Sequence, residues 1–144
     1  MLEYDANDLQ SMELCVWKEA RGQGQIGMRA VAHVIKNRVG APGFAKTLHG
    51  AIYMKNQFTS MSVTSDAEFN LIPPPGDVQF AYCVSLCPQV LNGDDPDPTD
   101  GAHYYENPKT ANSPWFTRVI AGPDGLGTEG HALTASIGSQ KFYA

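Results

Sequence analysis

From Leu9 to Gly24 the chain reads Leu-Gln-Ser-Met-Glu-Leu-Cys-Val-Trp-Lys-Glu-Ala-Arg-Gly-Gln-Gly, an apolar helical stripe that runs into an acid and then into glycines. Leu9, Met12, Cys15 and Val16 recur at helical spacing, and at roughly 100° per residue Glu19 projects between Met12 and Cys15. A carboxyl group in that position points inward among apolar neighbours, where ionisation is costly. It is therefore expected to keep its proton near neutral pH, as a general acid must. A solvated glutamate at the edge of a stripe would also fit the pattern. Gly22 and Gly24 favour the inward reading, because they reach backbone conformations closed to other residues and leave the space beside the acid free of side chains.

Outward from this stretch, a second helix is predicted from Gln25 to Val39. Ile26, Gly27, Ala30, Val31, Ala32, Val34 and Ile35 occupy more than one face of it, the mark of a helix packed centrally in the fold. Arg38 near its end suits the negative pole of the helix dipole. Pro42 is expected to open a third, short helix carrying Phe44, Leu48 and Ile52. Residues 57–64, rich in hydroxyls and amides with β-branched residues among them, read as a loop or short strand. After the break at Pro73-Pro74-Pro75-Gly76, Phe80, Val84, Cys87 and Leu91 share one helical face, with Pro88 expected to kink or shorten the helix. The last third is turn-rich, and Thr134 to Tyr143 reads as a closing strand.

The 144 residues suffice for one domain with a real hydrophobic core. A net charge of -5 and a pI near 5.2 exclude a nucleic-acid backbone as the main ligand. No apolar run approaches membrane-spanning length, so no membrane insertion is expected. Cys15, Cys83 and Cys87 read as buried free thiols, since three cysteines make an odd disulfide framework and one pair on a helical turn is too few for a structural zinc site. The acidic run from Asp94 to Asp100 superficially suggests calcium. Counting from Asp95, however, places Asp100 where an EF-hand needs glycine, so the run reads as a capping turn. His33, His49, His103 and His131 are widely spaced and form no His-Glu-x-x-His signature, which disfavours a zinc amidase. No metal and no cofactor are expected.

Four blocks then give a more specific reading. They are Glu19-Ala20-Arg21-Gly22 with Gly27, Ala30-Val31-Ala32 and Asn37-Arg38-Val39; Gln57-Phe58-Thr59 with Asp66, Phe69 and Asn70; Asp97-Pro98-Thr99 with Gly101-Ala102 and Tyr104-Tyr105-Glu106-Asn107-Pro108; and Ile137-Gly138 with Phe142-Tyr143. In this order the chain resembles the SleB-type cell wall hydrolases, the group that includes spore-cortex-lytic enzymes. The resemblance implies a lysozyme-like fold, α+β but mainly α, forming a single catalytic domain over residues 1–144 with a central apolar helix and a small β or loop region. It also implies peptidoglycan glycan strands as substrate, cut between N-acetylmuramic acid and N-acetylglucosamine by a lytic transglycosylase that leaves a 1,6-anhydro sugar. Glu19 matches the family's catalytic acid. The family often places a second glutamate after Arg-Gly, where this chain has Gln23, and the stretch from Ile120 to Leu133 is longer than usual.

Beside Glu19, the sugar-binding candidates are Thr59, Ser60, Tyr104, Tyr105, Asn107 and Tyr143, because a glycan cleft combines flat apolar surfaces with a few placed hydrogen-bonding groups. Thr59 leads, as a hydroxyl able to orient the acid. In an extended segment Tyr104 and Tyr105 point opposite ways, so one of the two is expected to face the cleft. Trp17 and Trp115 read as core or rim. Asp66, Asp97 and Glu106 are the candidates for a second carboxylate in a water-using muramidase, although their turn-rich flanks favour capping or solvated roles. A domain that binds the wall without cutting it is the non-enzymatic alternative. The start of the chain lacks a basic region followed by an apolar one. The expectation is a protein made in the cytoplasm that acts at the cell wall after release or membrane permeabilisation, as a phage endolysin does, or a piece of a larger system; a monomer is expected.

Overall fold

The computed structural model describes residues 2–55, 57–111 and 113–144. Its first helix, α1, spans Ala6–Ala20 and opens with a reciprocal cap: Asp5 accepts from the Asp8 amide at 2.8 Å while Asp8 accepts from the Asp5 amide at 3.0 Å. A single tight turn, Arg21–Gln23, leads into α2, Gly24–Arg38. The reversal needs glycine twice. Gly24 has φ +73°, and a Cβ on Gly27 would sit 2.2 Å from that of Gln23.

α2 is the central element that its sequence predicts. Met28, Val31, Ala32 and Ile35 face a helical core shared with Met12, Cys15 and Val16 of α1, whereas Ala30 and Val34 face Phe142 and Ala102 on the sheet side. One helix thus serves two apolar surfaces, which explains why its apolar residues are not confined to one stripe. The helical core is completed by α3, Leu48–Tyr53, and α5, Val78–Leu91. Asp77 caps α5 and also accepts the Trp17 indole N–H at 3.0 Å, which locks α5 against α1. No described helix is long and apolar enough to cross a membrane.

Local expectations for three helices are corrected. α3 starts at Leu48 with Thr47 as its cap, not at Pro42, because Gly40 and Gly43 at φ +80° and +83° fold the proline into turns. Residues Thr59–Ser62 form one helical turn, α4, where a loop or strand was expected. Burial of Phe58 and Met61 and a hydrogen bond from Lys18 to the Ser60 carbonyl override the weak local preference. The apolar face of α5 runs through Cys83, Leu86, Cys87, Val90 and Leu91 and leaves Val84 exposed. The helix also continues past Pro88, whose missing N–H deprives only the carbonyl of Val84, at a position that water can reach.

The closing segment is a hairpin and not one strand. β3, His131–Ile137, turns at Gly138 (φ +59°) into β4, Gln140–Tyr143. With β1, Tyr104–Glu106, and β2, Gly127–Thr128, these make an antiparallel sheet in the order β1-β4-β3-β2. Tyr105 of β1 pairs with Phe142 of β4 and lies over its ring at 5.7 Å. Ahead of β1, the acidic run is a tie to α2. Asp95 accepts from Arg29 at 2.8 Å and lies 2.6 Å from His33, and Asp97 accepts from Asn37 at 2.9 Å and caps the Thr99 and Gly101 amides. Burial would raise both carboxyls, but these hydrogen bonds outweigh it and hold them below the ordinary carboxylate value. The three cysteines are free and buried, and burial pushes the Cys83 thiol up to about 12.

Candidate active site

Glu19 lies on the last turn of α1, half-buried, and lines a cleft of about 320 Å³ between the helical core and β1. Its two carboxyl oxygens are held separately. The Ser60 hydroxyl donates to Oε2 at 2.7 Å and the Tyr105 phenol donates to Oε1 at 2.8 Å. Burial, and then the neighbouring Glu19, push the Tyr105 phenol well above its ordinary value, so it stays a neutral donor. Both partners are hydroxyls, which donate to a carboxylate and by rotation accept from a protonated acid.

The residues flanking Glu19 in its motif fix the segment that carries Ser60. Lys18, itself buried, donates to the carbonyls of Ser60 at 3.1 Å and Phe69 at 2.7 Å. Arg21 pairs with Glu68 and stacks over Trp17 at 4.1 Å. Thus one turn of α1 presents the acid and anchors the strap across from it. On the far wall the cleft is lined by Arg38, Tyr104 and Tyr105, and its rim by Ser113, Trp115 and Phe116. Trp115 is 49% exposed, a flat apolar surface at the cleft mouth.

The sequence-predicted residues divide. Glu19, Ser60 and Tyr105 are brought together, and Tyr104 lines the same cleft, so both tyrosines reach it. Tyr105 does so through its phenol on Glu19, while Tyr104 packs near Arg38, Phe44 and Phe116. Thr59 also lines the cleft, but its hydroxyl donates to Asp66 at 2.7 Å, and Ser60 takes the orienting role expected of it. Asn107 does not line the cleft; its side chain accepts from the Lys109 amide in a turn beyond β1. Tyr143 is fully buried with Ile120 and Ala121 and donates to the Gly125 carbonyl at 2.9 Å, a core role set by its place on the inner strand β4.

No other aspartate or glutamate lines the cleft among the described residues. Asp66 is tied to Thr59 and the Glu68 amide, and the Thr59 hydrogen bond in particular holds its carboxyl below the usual range. Asp97 is committed to its capping turn. Glu106, raised by burial, sits on β1 opposite Lys141 and lines a separate hollow. Gln23 lies beside Gly138 and does not line the cleft. The stretch 120–133 builds β2 and packs on Tyr143, leaving the rim to residues 113–116. Sequence reasoning missed Arg38 as a cleft residue, having assigned it to the helix dipole. Its place in the Asn37-Arg38-Val39 block was the signal available.

A mainly helical body with a small antiparallel sheet and an acid on the cleft wall between them puts the protein in the lysozyme-like class. Within that class the chain belongs to the cell wall hydrolase family, whose profile matches residues 22–122. It is 38% identical over 113 residues to a spore cortex-lytic enzyme of Halalkalibacterium halodurans, covering 78% of this chain and 31% of that protein. It is 32% identical to the Bacillus subtilis spore cortex-lytic enzyme, covering 78% of this chain and 33% of that protein. The chain therefore spans about a third of the length of these curated relatives. The catalytic domain of the germination-specific lytic transglycosylase SleB from Bacillus anthracis superposes with a TM-score of 0.70 at 31% identity, over 98% of this chain and 97% of that one.

Proposed function

We propose that residues 1–144 act as one monomeric catalytic domain that cleaves peptidoglycan glycan strands between N-acetylmuramic acid and N-acetylglucosamine as a lytic transglycosylase, with Glu19 as its single acid and base. The observation that carries this reading is the isolated carboxyl group of Glu19, held by two hydroxyls in a cleft lined by no second carboxylate among the described residues. The relatives support the substrate, being spore cortex-lytic enzymes and a lytic transglycosylase catalytic domain.

Protonated Glu19 donates to the glycosidic oxygen as positive charge develops at the anomeric carbon, and the bond to the departing sugar breaks. The resulting carboxylate takes the proton of the muramyl 6-hydroxyl, whose oxygen attacks the same anomeric carbon and closes the 1,6-anhydro ring. That attack is intramolecular, so proximity replaces the activated water of a hydrolase. Ser60 and Tyr105 donate to lone pairs of the two carboxyl oxygens, which positions the group and leaves its single proton free for the glycosidic oxygen. Such an enzyme works at the cell wall, which it reaches after release or membrane permeabilisation.

The test is Glu19→Gln together with digestion in heavy-oxygen water. The variant is expected to fold and to be inactive, because an amide of the same shape has no proton of the needed acidity to give. The wild-type products are expected to end in 1,6-anhydromuramic acid without heavy oxygen at the new anomeric position. Reducing muramic ends that carry the label would make this a water-using muramidase, and freed stem peptides would make it an amidase.

A further inference from the structure

Arg38 is charged, buried to 4% exposure, and pairs with no carboxylate among the described residues. Its Nε donates to the His103 carbonyl at 2.7 Å, and its guanidinium lies over the rings of Phe58 at 4.8 Å, Phe44 at 5.2 Å and Tyr104 at 5.9 Å. Nη1 is buried without a hydrogen-bond partner among the described residues. A carbonyl and three ring faces offset part of the cost of burying this cation, but none of them neutralises it. The arginine nevertheless lines the same cleft as Glu19.

Of the other groups near the acid only Lys18 is charged, and it does not line the cleft. On α1, the Cys15 thiol is pushed well up by burial and stays neutral, and Lys18 is turned to the carbonyls of Ser60 and Phe69. On β1, Tyr105 stays a neutral phenol, and on α4 Ser60 offers only a hydroxyl. Asp66, beyond α4, is occupied by Thr59. The unneutralised charge fixed on the cleft wall is therefore that of Arg38 on α2.

We propose that Arg38 is the electrostatic positioning residue for Glu19: a buried, carboxylate-free guanidinium on the cleft wall that stabilises the negative charge the acid acquires between giving its proton to the glycosidic oxygen and taking one from the 6-hydroxyl. This rests on the reading of Glu19 as acid and base given above. A cation already in place in a desolvated site needs no reorganisation when charge develops, which is the condition under which such a group has most effect on rate. Arginine suits the role because its guanidinium holds its charge in a buried site more firmly than an ammonium does, and because its planar head stacks on aromatic faces.

The experiment compares Arg38→Met and Arg38→Lys with wild type through kcat and KM on purified peptidoglycan, with circular dichroism to check folding. Arg38→Met is expected to lose about 10- to 100-fold in kcat with KM changed by less than about threefold. Arg38→Lys, which supplies a cation without the planar head, is expected to recover part of kcat. A purely structural clamp would lower kcat equally in both variants, and that result would overturn the proposal. If Arg38→Met fails to fold, Arg38→Gln against Arg38→Lys gives the same comparison, and equal losses sink it. Glu19→Gln assayed alongside separates the two readings. An active Glu19→Gln enzyme removes the acid itself, whereas an inactive one beside equal losses in the two Arg38 variants removes only the role of Arg38.

Discussion

Replacing Tyr105 with phenylalanine removes one oxygen atom from the structure and one of the two hydrogen bonds that hold Glu19. The ring remains stacked on Phe142 at 5.7 Å, and the strand pairing of β1 with β4 is untouched, so the perturbation is confined to the 2.8 Å contact between the phenol and Oε1. A hydrogen bond to a group that carries charge contributes about 1.5–3 kcal/mol. At about 1.4 kcal/mol per factor of ten, kcat/KM is expected to fall roughly 10- to 150-fold. Because Oε1 borders an open cleft, water can replace the phenol in the resting enzyme, and the loss of folding stability is expected to stay below about 1 kcal/mol. Initial rates of turbidity loss from a peptidoglycan suspension, paired with thermal unfolding, measure both quantities. Chromatography of the products is expected to give the same anhydro ends as wild type, formed more slowly. A Tyr105→Phe enzyme within threefold of wild-type rate, with unchanged melting, would refute the reasoning that this phenol orients the acid.

Ser60→Ala is expected to cost more activity than Thr59→Val, by about tenfold or more in kcat/KM, because only Ser60 bonds Glu19 while the Thr59 hydroxyl is spent on Asp66; side-by-side rates check the order. Stability is expected to fall in acid as Asp95 and Asp97 protonate. Their folded values lie below the ordinary 3.8, so their contribution is fully present above that pH and is lost as pH drops through the folded values. Melting temperatures from pH 7 downward are expected to decline less steeply below about pH 4 for Asp97→Asn than for wild type, and parallel curves would count against the assignment.

Periodicity phased α1 so that Met12, Cys15 and Val16 enter the core, because 3.6 residues per turn fixes the direction of a side chain relative to its stripe; the neighbours of half-buried Glu19 are two hydroxyls from other elements, not the apolar ones its stripe suggested. Periodicity also settled that α2 is central, since apolar residues on several faces demand neighbours on several sides. The family resemblance, carried by blocks spread along the chain, supplied the fold class.

What holds that acid could be decided only in three dimensions. Ser60 lies 41 residues and Tyr105 86 residues from Glu19 in sequence, and adjacent positions in each segment offered the same chemistry. The choice of Ser60 over Thr59 depended on α4 forming a helical turn, which the local sequence disfavours and which Lys18 and buried Phe58 and Met61 impose. Tyr143, equally plausible by composition, was consigned to the core because the closing segment folds as a hairpin with β4 inside the sheet. Arg38 shows the same division. Its charge and its place near a helix end are written in the chain, but that its guanidinium is buried, with no carboxylate partner among the described residues, in the cleft that Glu19 lines follows from how α2, α4 and β1 converge. Local spacing sets where a side chain leaves its own element, whereas its partners are set by packing between elements distant in sequence.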